Sequence, residues 1–153
     1  PSAAGPALPP AGPGVETRLI EAGEEDLWAD VSALGWAQEQ PELQDFLRAF
    51  GRVAARSRGA RCFLAEAGGE PLAAGSLVLG DSGVALLAGA STIPAHRRRG
   101  AQRALLEARL GFAAAHGCDT AMMGAGPGSA SQRNAERQGF RIAYTRIKWT
   151  LPA

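Results

Sequence analysis

The sequence predicts an α+β domain in which a mostly antiparallel sheet is flanked by helices. A short strand and two amphipathic helical segments come first, three strand-like runs separated by glycine-containing turns follow, and helix and strand then alternate to the end. Aromatic residues make up only 6% of the 153 residues, so the core must be built mainly of aliphatic side chains. These three observations favour a single α+β domain of ordinary size.

A linker precedes this domain. Twelve of the first fourteen residues are Pro, Gly or Ala, and such a stretch cannot bury enough apolar surface to become ordered by itself. We interpret residues 1–14 as a linker or tail and residues 15–153 as the folded domain. The linker-like start is compatible with the second part of a longer protein.

Two helices are expected after a short strand at 15–20. The first follows the acidic turn 23–26 and ends at Gly35, and the second begins near Pro41. The apolar residues that repeat at helical spacing and are expected to face the core are Leu27, Val31, Leu34, Leu43, Phe46, Leu47, Phe50 and Val53. The charged residues expected on the far side of the second helix are Glu42, Asp45, Arg48, Arg52 and Arg56.

A meander and an alternation of helix and strand make up the rest of the domain. Glycine-containing turns separate the strands of the meander, and Ser129 opens the last helix as part of a capping box. The expected elements are strands at 61–66, 72–79 and 84–92, a helix at 99–116, a strand at 120–123, a helix ended by Gly139, and a closing strand at 140–151.

The net charge of +1 conceals two halves of opposite sign. Residues 1–91 contain six Arg and twelve acids, a net of −6, whereas residues 92–153 contain nine Arg and one Lys against three acids, a net of +7. The basic half favours a polyanionic ligand and the acidic half a cationic one.

Composition also excludes several classes of protein. No stretch approaches the roughly 20 apolar residues of a membrane span, and no secretory leader is present, so we expect a cytoplasmic protein without membrane association. Cys62 and Cys118 are interpreted as small buried thiols. The His and Cys residues lack metal-ligand spacing, and neither a P-loop nor a Ser-His-Asp arrangement is found.

The segment T-I-P-A-H-R-R-R-G-A-Q, residues 92–102, carries the most chemical information. A strand runs into a Pro-marked bend, then a basic turn, then a long helix. At such a helix start, free backbone N–H groups and the positive end of the helix dipole meet, and Gly100 allows close backbone approach. Arg97, Arg98 and Arg99 add donors suited to phosphate. A solvated basic turn is the alternative, but the coincidence of bend, glycine and helix start favours an anion site.

This segment, the strand that follows the long helix, and the later S-Q-R-N-A-E-R-Q-G-F resemble the GCN5-related N-acetyltransferases (GNAT). The resemblance covers about Val15 to Leu151. The family's turn has Gln or Arg, two residues, Gly, one residue, and then Gly or Ala; this chain has Gln102 at the last position. The resemblance implies a GNAT-like fold with a splayed fourth and fifth strand pair. It also implies acetyl-CoA as co-substrate, with transfer of its acetyl group to a primary amine by direct attack in a ternary complex.

The resemblance further implies which residues bind the coenzyme. Its diphosphate would meet the backbone N–H groups of residues 98–102, Ala101 among them. The pantetheine arm would bond to Ala90, Ser91 and Thr92 like an added strand, and their N–H groups would polarise the thioester carbonyl. Asn134 matches a position from which the family often contacts the coenzyme. An ordinary half-buried strand end and an ordinary helical Asn remain the alternatives for these residues.

The catalytic residues are less clearly marked. Many relatives place a Tyr acid four residues before the Gly of the terminal G-F pair, where this chain has Ala135. Tyr144 is the substitute candidate for this acid. One alternative is that Tyr144 is a buried structural residue whose hydroxyl is satisfied, and another is that no acid is needed, because a thiolate with a pKa of about 8.5 can leave unaided. Glu66 and Glu16 are candidates for the general base. Alternatively, both are ordinary surface acids and a chain of water molecules accepts the proton.

Length distinguishes this chain from the family in one further way. The family usually has two strands after the G-F pair, but only about a dozen residues follow Phe140. A missing strand would be absent or supplied by another domain or subunit, so a homodimer and the C-terminal half of a tandem-domain protein are both candidates.

Three functions follow from these observations. The first is an N-acetyltransferase for a small-molecule or protein amine, with cationic amines favoured by the acidic half. The second is a catalytically silent acyl-CoA-binding module that acts as sensor or scaffold. Nucleic-acid binding ranks last, because aromatic platforms for bases are nearly absent.

Overall fold

The structure is a computed structural model that describes residues 14–147, 149 and 151. The chain divides into two compact units, one that ends at Gly124 and one that contains the residues from Ala125 onward. Apart from Gly14, the predicted linker lies outside the described residues.

The first unit contains a five-stranded sheet with helices on both faces. The strands are β1 (Glu16–Leu19), β2 (Ala60–Ala67), β3 (Glu70–Leu79), β4 (Val84–Thr92) and β5 (Thr120–Met123), and the helices are α1 (Glu25–Gly35), α2 (Gln44–Ala55) and α3 (Ala101–Ala115). The strands lie in the order β1-β2-β3-β4-β5, and all neighbours are antiparallel except the parallel pair β4–β5. This confirms the predicted α+β class and the mostly antiparallel sheet.

The second unit contains helix α4 (Ala130–Arg137). The Ser129 side chain accepts a hydrogen bond from the Gln132 amide at 3.1 Å, as the capping box predicts. The predicted closing strand is wrong: residues 140–147, 149 and 151 form no strand. Its alternation changes phase between Tyr144 and Ile147, so one strand face could not bury all of its apolar residues.

The sheet is buried on both faces, which explains the apolar run in β2. Phe63 and Ala65 belong to the core cluster that contains Leu105 of α3. Cys62 and Leu64 alternate with them and belong to the cluster built around Trp28 of α1. Burial raises the pKa of the Cys62 thiol to about 11, so this thiol is protonated at neutral pH.

Helix α1 packs on the sheet through its small residues. Leu27 and Leu34, predicted to face the core with Val31, are partly exposed, whereas the buried residues of this helix are Trp28, Ala29, Val31, Ala33 and Gly35. The prediction is wrong for Leu27 and Leu34, because Trp28 and Val31 occupy the inward side of α1 together with small residues that let the helix approach the sheet closely. At Gly35 this approach is so tight that an added Cβ would lie 2.3 Å from Ser91 Oγ.

The predicted orientation of α2 is wrong. The arginines expected to face solvent lie against α1, where Arg48 pairs with Asp30 at 2.7 Å and Arg52 pairs with Asp26 at 3.1 Å. The apolar side of α2 is exposed instead. Periodicity identified the helix correctly but not its inward side.

An ion-pair network joins β1, β2 and the start of α1. Arg18 on β1 contacts Glu24 at 2.6 Å and Glu66 on β2 at 2.9 Å. The Arg18 side chain, together with the Glu21 backbone N–H, lowers the pKa of Glu24 to about 2, and the pKa of Arg18 is raised in turn. The Glu24 carboxylate is therefore stabilised by folding.

In the part of the chain that the structure describes, α3 is the longest helix, with 15 residues. None of the described helices is long and apolar enough to cross a membrane.

We expect Gly35→Ala to destabilise the protein by about 1–3 kcal/mol, because its methyl group would force α1 away from Ser91. Gly111→Ala is the matched control, since Gly111 lies within α3 and an added Cβ there meets nothing within 4 Å. This control should gain about 0.5–1 kcal/mol from helix propensity. Urea unfolding measures the free energy of unfolding of both variants. Equal values for the two variants would contradict the packing of α1 against Ser91.

Acidification should destabilise the protein through Glu24. Its pKa is lower in the folded state than the ordinary 4.5, so its contribution is present above about pH 4.5 and is lost as the pH falls toward 2. Glu24→Gln should therefore flatten the decline of the melting temperature between about pH 5 and 2. High salt should weaken the effect, since the pair is partly exposed. Asp81→Asn, at an exposed turn, serves as control.

Candidate active site

The site is built around the turn that connects β4 to α3. After β4 ends at Thr92, a single 3-10 turn, Pro94–His96, leads to two residues with left-handed backbone, Arg98 at φ +65° and Gly100 at φ +83°. Alternating conformations of this kind point successive amide groups toward one concavity. Gly100 is also the N-cap of α3, and no side chain caps this helix.

The amide groups of this turn have no acceptor in the part of the chain that the structure describes. Within the described residues, no hydrogen bond is donated by the backbone N–H groups of the five consecutive residues 98–102. These donors and the positive end of the α3 dipole coincide, which is the arrangement that binds phosphate and other anions at helix starts.

The three arginines of the turn are not equivalent. Arg97 is turned toward the segment after α1, where its guanidinium donates to Gly35 O at 3.3 Å, Gln38 Oε1 at 3.1 Å and Glu39 Oε1 at 2.7 Å. Its charge is therefore engaged within the protein. The sequence did not reveal this role, because the partners lie about sixty residues away in the chain.

Arg98 and Arg99 are exposed and lack carboxylate partners among the described residues. Arg99 Nη1 lies 3.2 Å from His96 Nδ1, and His96 Nε2 lies 3.5 Å from Glu70 Oε1. The two guanidinium groups that can meet an anion at this turn are therefore those of Arg98 and Arg99.

Hydrogen bonds from two side chains hold the ends of the turn in place. Gln102 Nε2 donates to Thr92 Oγ1 at 2.8 Å and so joins the first turn of α3 to the end of β4. Ser91 is buried, and its hydroxyl donates to Ser32 O of α1 at 2.9 Å. Both ends of the turn are thereby held, and the Ser91 hydroxyl is already engaged.

The outer edge of β4 is open beyond Leu87. The pairing of β4 with β5 runs from Val84 to Leu87, and no strand among the described residues pairs with the outer edge after that point. The Ile93 N–H bonds to Leu72 O of β3 at 2.9 Å. Successive N–H groups along a strand point to opposite edges. Because the Ile93 N–H points to β3, the Thr92 N–H points to the open edge.

A β-bulge lies beside this open edge. Ala74 pairs with Ser91 and Ser76 pairs with Ala88, so Gly75 alone faces the two residues Gly89 and Ala90. Gly89 adopts φ +57°, the left-handed conformation of the first residue of a G1 bulge. The extra residue twists β4 locally, just before the turn that connects β4 to α3.

Buried donors support the bulge from both faces of the sheet. Trp28 Nε1 lies 3.3 Å from Gly75 O on the α1 side. On the α3 side, Arg109 Nη1 donates to Ser76 O at 3.1 Å and to Ala88 O at 3.4 Å. Arg109 therefore crosses from β3 to β4 where the pairing is interrupted.

Arg109 is only 4% exposed and has no carboxylate partner among the described residues. Burial lowers the pKa of its guanidinium to about 10, which leaves it charged at neutral pH. Sequence reasoning missed this residue. The sequence did contain a sign of it: Arg109 lies four residues from both Leu105 and Ala113, and therefore on the inward-facing side of α3.

The remaining predicted site residues lie elsewhere. Both carboxylate oxygens of Glu66 accept hydrogen bonds from Arg18, at 2.9 and 3.1 Å. Tyr144 is exposed and Asn134 Oδ1 accepts a hydrogen bond from Arg137, both within the C-terminal unit. The structure thus brings together residues 90–92 and 97–102 at the end of β4.

The described residues contain no cluster of three His, Cys, Asp or Glu side chains that could hold a metal.

Several solved structures with the same fold are acetyltransferases. The aminoglycoside N-acetyltransferase AAC(6')-Iy with the bisubstrate analogue CoA-S-monomethyl-acetylneamine matches at TM-score 0.70 and 19% identity, over 91% of this chain and 99% of that one. Its complex with CoA matches at TM-score 0.69 and 20% identity, over 95% and 100%. A ribosomal-protein-alanine N-acetyltransferase from Brucella melitensis biovar Abortus 2308 matches at 0.70 and 15%, over 90% and 99%.

At these low identities, the TM-scores establish a shared fold alone. No curated protein sequence matches the chain. The sequence model of the Acetyltransferase (GNAT) family, however, matches residues 20–140, which include every strand and helix described above except β1. The chain therefore belongs to the GNAT acetyltransferase family.

Proposed function

We propose that this protein transfers the acetyl group of acetyl-CoA to a primary amine by direct attack in a ternary complex. The observation that carries the proposal is the run of five backbone N–H groups at the start of α3 for which residues 14–147, 149 and 151 offer no acceptor. In a member of an acetyltransferase family, this is where the coenzyme diphosphate would bind.

The diphosphate would lie on the amides of residues 98–102, and the exposed guanidinium groups of Arg98 and Arg99 would pair with its charge. Arg97 would act indirectly. Because it is bonded to the segment after α1, it would hold that segment beside the turn. Gln102 would keep the turn closed through Thr92.

The pantetheine arm would follow the open edge of β4. Ala90, Ser91 and Thr92 would border it, and the outward N–H of Thr92 would be available to polarise the thioester carbonyl. The amine lone pair would attack that carbonyl carbon, and the carbon–sulfur bond would break. The thiolate of CoA would leave with the bonding electrons, and the nitrogen would release a proton.

Water is our preferred acceptor for that proton. Glu66 was a candidate base, but both of its oxygens accept hydrogen bonds from Arg18, which favours a structural role. Tyr144 remains the candidate acid for the thiolate, and a thiolate with pKa about 8.5 can also leave unaided. The contribution of Asn134 to coenzyme binding is likewise a proposal.

A catalytically silent acyl-CoA-binding module is the second candidate. It is favoured by Ala135, which supplies no hydroxyl where many relatives have the acidic Tyr. The module would bind acetyl-CoA without turnover. Binding and chemistry must therefore be measured separately.

Cationic amines should be the preferred acceptors, because residues 1–91 carry a net charge of −6. In a thiol-release screen, we expect polyamines, aminoglycosides or basic peptides to show kcat/KM at least about tenfold above neutral amines of similar size. Reaction with neutral or anionic amines alone would overturn the preference. Calorimetric binding of acetyl-CoA without turnover of any amine would overturn the enzyme proposal in favour of the silent module.

Gly100→Asp should weaken acetyl-CoA binding about 100-fold, equivalent to about 2.7 kcal/mol, because a carboxylate would occupy and repel the diphosphate site. Gly100→Asn is the neutral variant of the same size and should bind more tightly than the Asp variant. Gly117→Asp controls for strain, since Gly117 follows the end of the same helix at φ +81°. Calorimetry would contradict the proposal if Gly100→Asp bound the coenzyme like the wild type.

A further inference from the structure

Helix α2 exposes its apolar side. Leu43, just before the helix, is 39% exposed, and Phe46, Phe50 and Val53 are 62%, 58% and 67% exposed. These four residues, separated by three or four positions, form one continuous row that we name the α2 stripe. The rings of Phe46 and Phe50 stack with centroids 6.0 Å apart, which places two aromatic faces side by side on the surface.

The α2 stripe cannot be buried by rotating the helix. Two ion pairs hold the opposite side of α2 to α1, Arg48 with Asp30 and Arg52 with Asp26. Gly51 is buried so closely against α1 that an added Cβ would lie 3.1 Å from an Ala29 atom. The polar row is thus fixed inward, and the apolar row is fixed outward.

A continuous apolar row of this size is the usual mark of a contact surface. We propose that the α2 stripe is the interface of a two-fold homodimer in which the α2 helices of two copies pack antiparallel. A two-fold interface requires a surface that is complementary to itself. The α2 stripe meets this requirement in both its apolar residues and its charges.

The apolar residues match when the two-fold axis passes near Ala49 and Phe50. Phe46 lies three to four residues before this point and Val53 three to four residues after it. In the antiparallel pair, Phe46 therefore lies opposite Val53 of the partner subunit, and the two Phe50 rings meet at the axis. Each large ring is accommodated next to a smaller or equal side chain.

The flanking charges match in the same arrangement. Glu42, exposed near the N-terminal end, and Arg56, 57% exposed after the C-terminal end, are roughly four helical turns apart and so lie on one flank. Antiparallel packing brings Glu42 next to Arg56 of the partner subunit, twice. The helix dipoles also oppose each other favourably.

Sedimentation of the full chain across a concentration series, without coenzyme, tests the proposal. The wild type should dimerise, and Phe50→Glu should raise the dissociation constant at least about 30-fold, because it places two carboxylates at the axis. Leu86→Glu, an exposed apolar position on β4, is the matched control and should dimerise like the wild type. Circular dichroism should show that both variants remain folded.

A charge exchange tests the antiparallel arrangement. Glu42→Arg and Arg56→Glu should each weaken the dimer, and the double variant should recover most of the wild-type affinity. Arg52 keeps Asp26 paired when Arg56 is replaced, so folding should be retained. Failure of the double variant to recover would overturn the arrangement.

A wild type that stays monomeric at every concentration, or a dimer indifferent to Phe50→Glu, would overturn the proposal. Neither result would bear on acetyl transfer, which is measured by coenzyme binding and turnover.

Discussion

The tight contact between Gly35 and Ser91 determines where α1 lies, and the geometry of the site depends on it. Because no side chain separates the two residues, the end of α1 rests directly on the end of β4. The Ser91 hydroxyl can then reach a carbonyl of α1, and the segment after α1 comes within reach of Arg97. The turn between β4 and α3 is therefore attached to α1 through Arg97 and to β4 through Gln102. A displacement of α1 would be transmitted to both ends of the turn.

The geometry of the turn between β4 and α3 could be predicted from the sequence because its requirements are local. A strand end, a glycine that tolerates left-handed backbone and a helix start without a capping side chain all occur within residues 92–102. The role of Arg97 could not be predicted, since it depends on a segment distant in the chain. Arg109 and the bulge at Gly89 likewise depend on how β3 and β4 are paired, which composition and periodicity do not specify.

The orientation of α2 and the C-terminal segment show a second limit. Helical periodicity shows that two rows differ in polarity, but a charged row can face inward when a neighbouring helix offers matching charges, as α1 does through Asp26 and Asp30. An alternating pattern from residue 140 onward is likewise necessary for a strand but not sufficient. A strand also needs a hydrogen-bonding partner and one constant phase of alternation, and this segment changes phase.

The buried position of Cys62 has a practical consequence for chemistry at sulfur. Disulfide and maleimide reagents attack thiolates, and a thiol with a pKa of about 11 presents almost none at neutral pH. Of the two cysteines, Cys118 alone is partly accessible, beside the end of α3. A fluorophore can thus be attached at a single native position, and colorimetric reagents that detect liberated coenzyme will meet little background from Cys62.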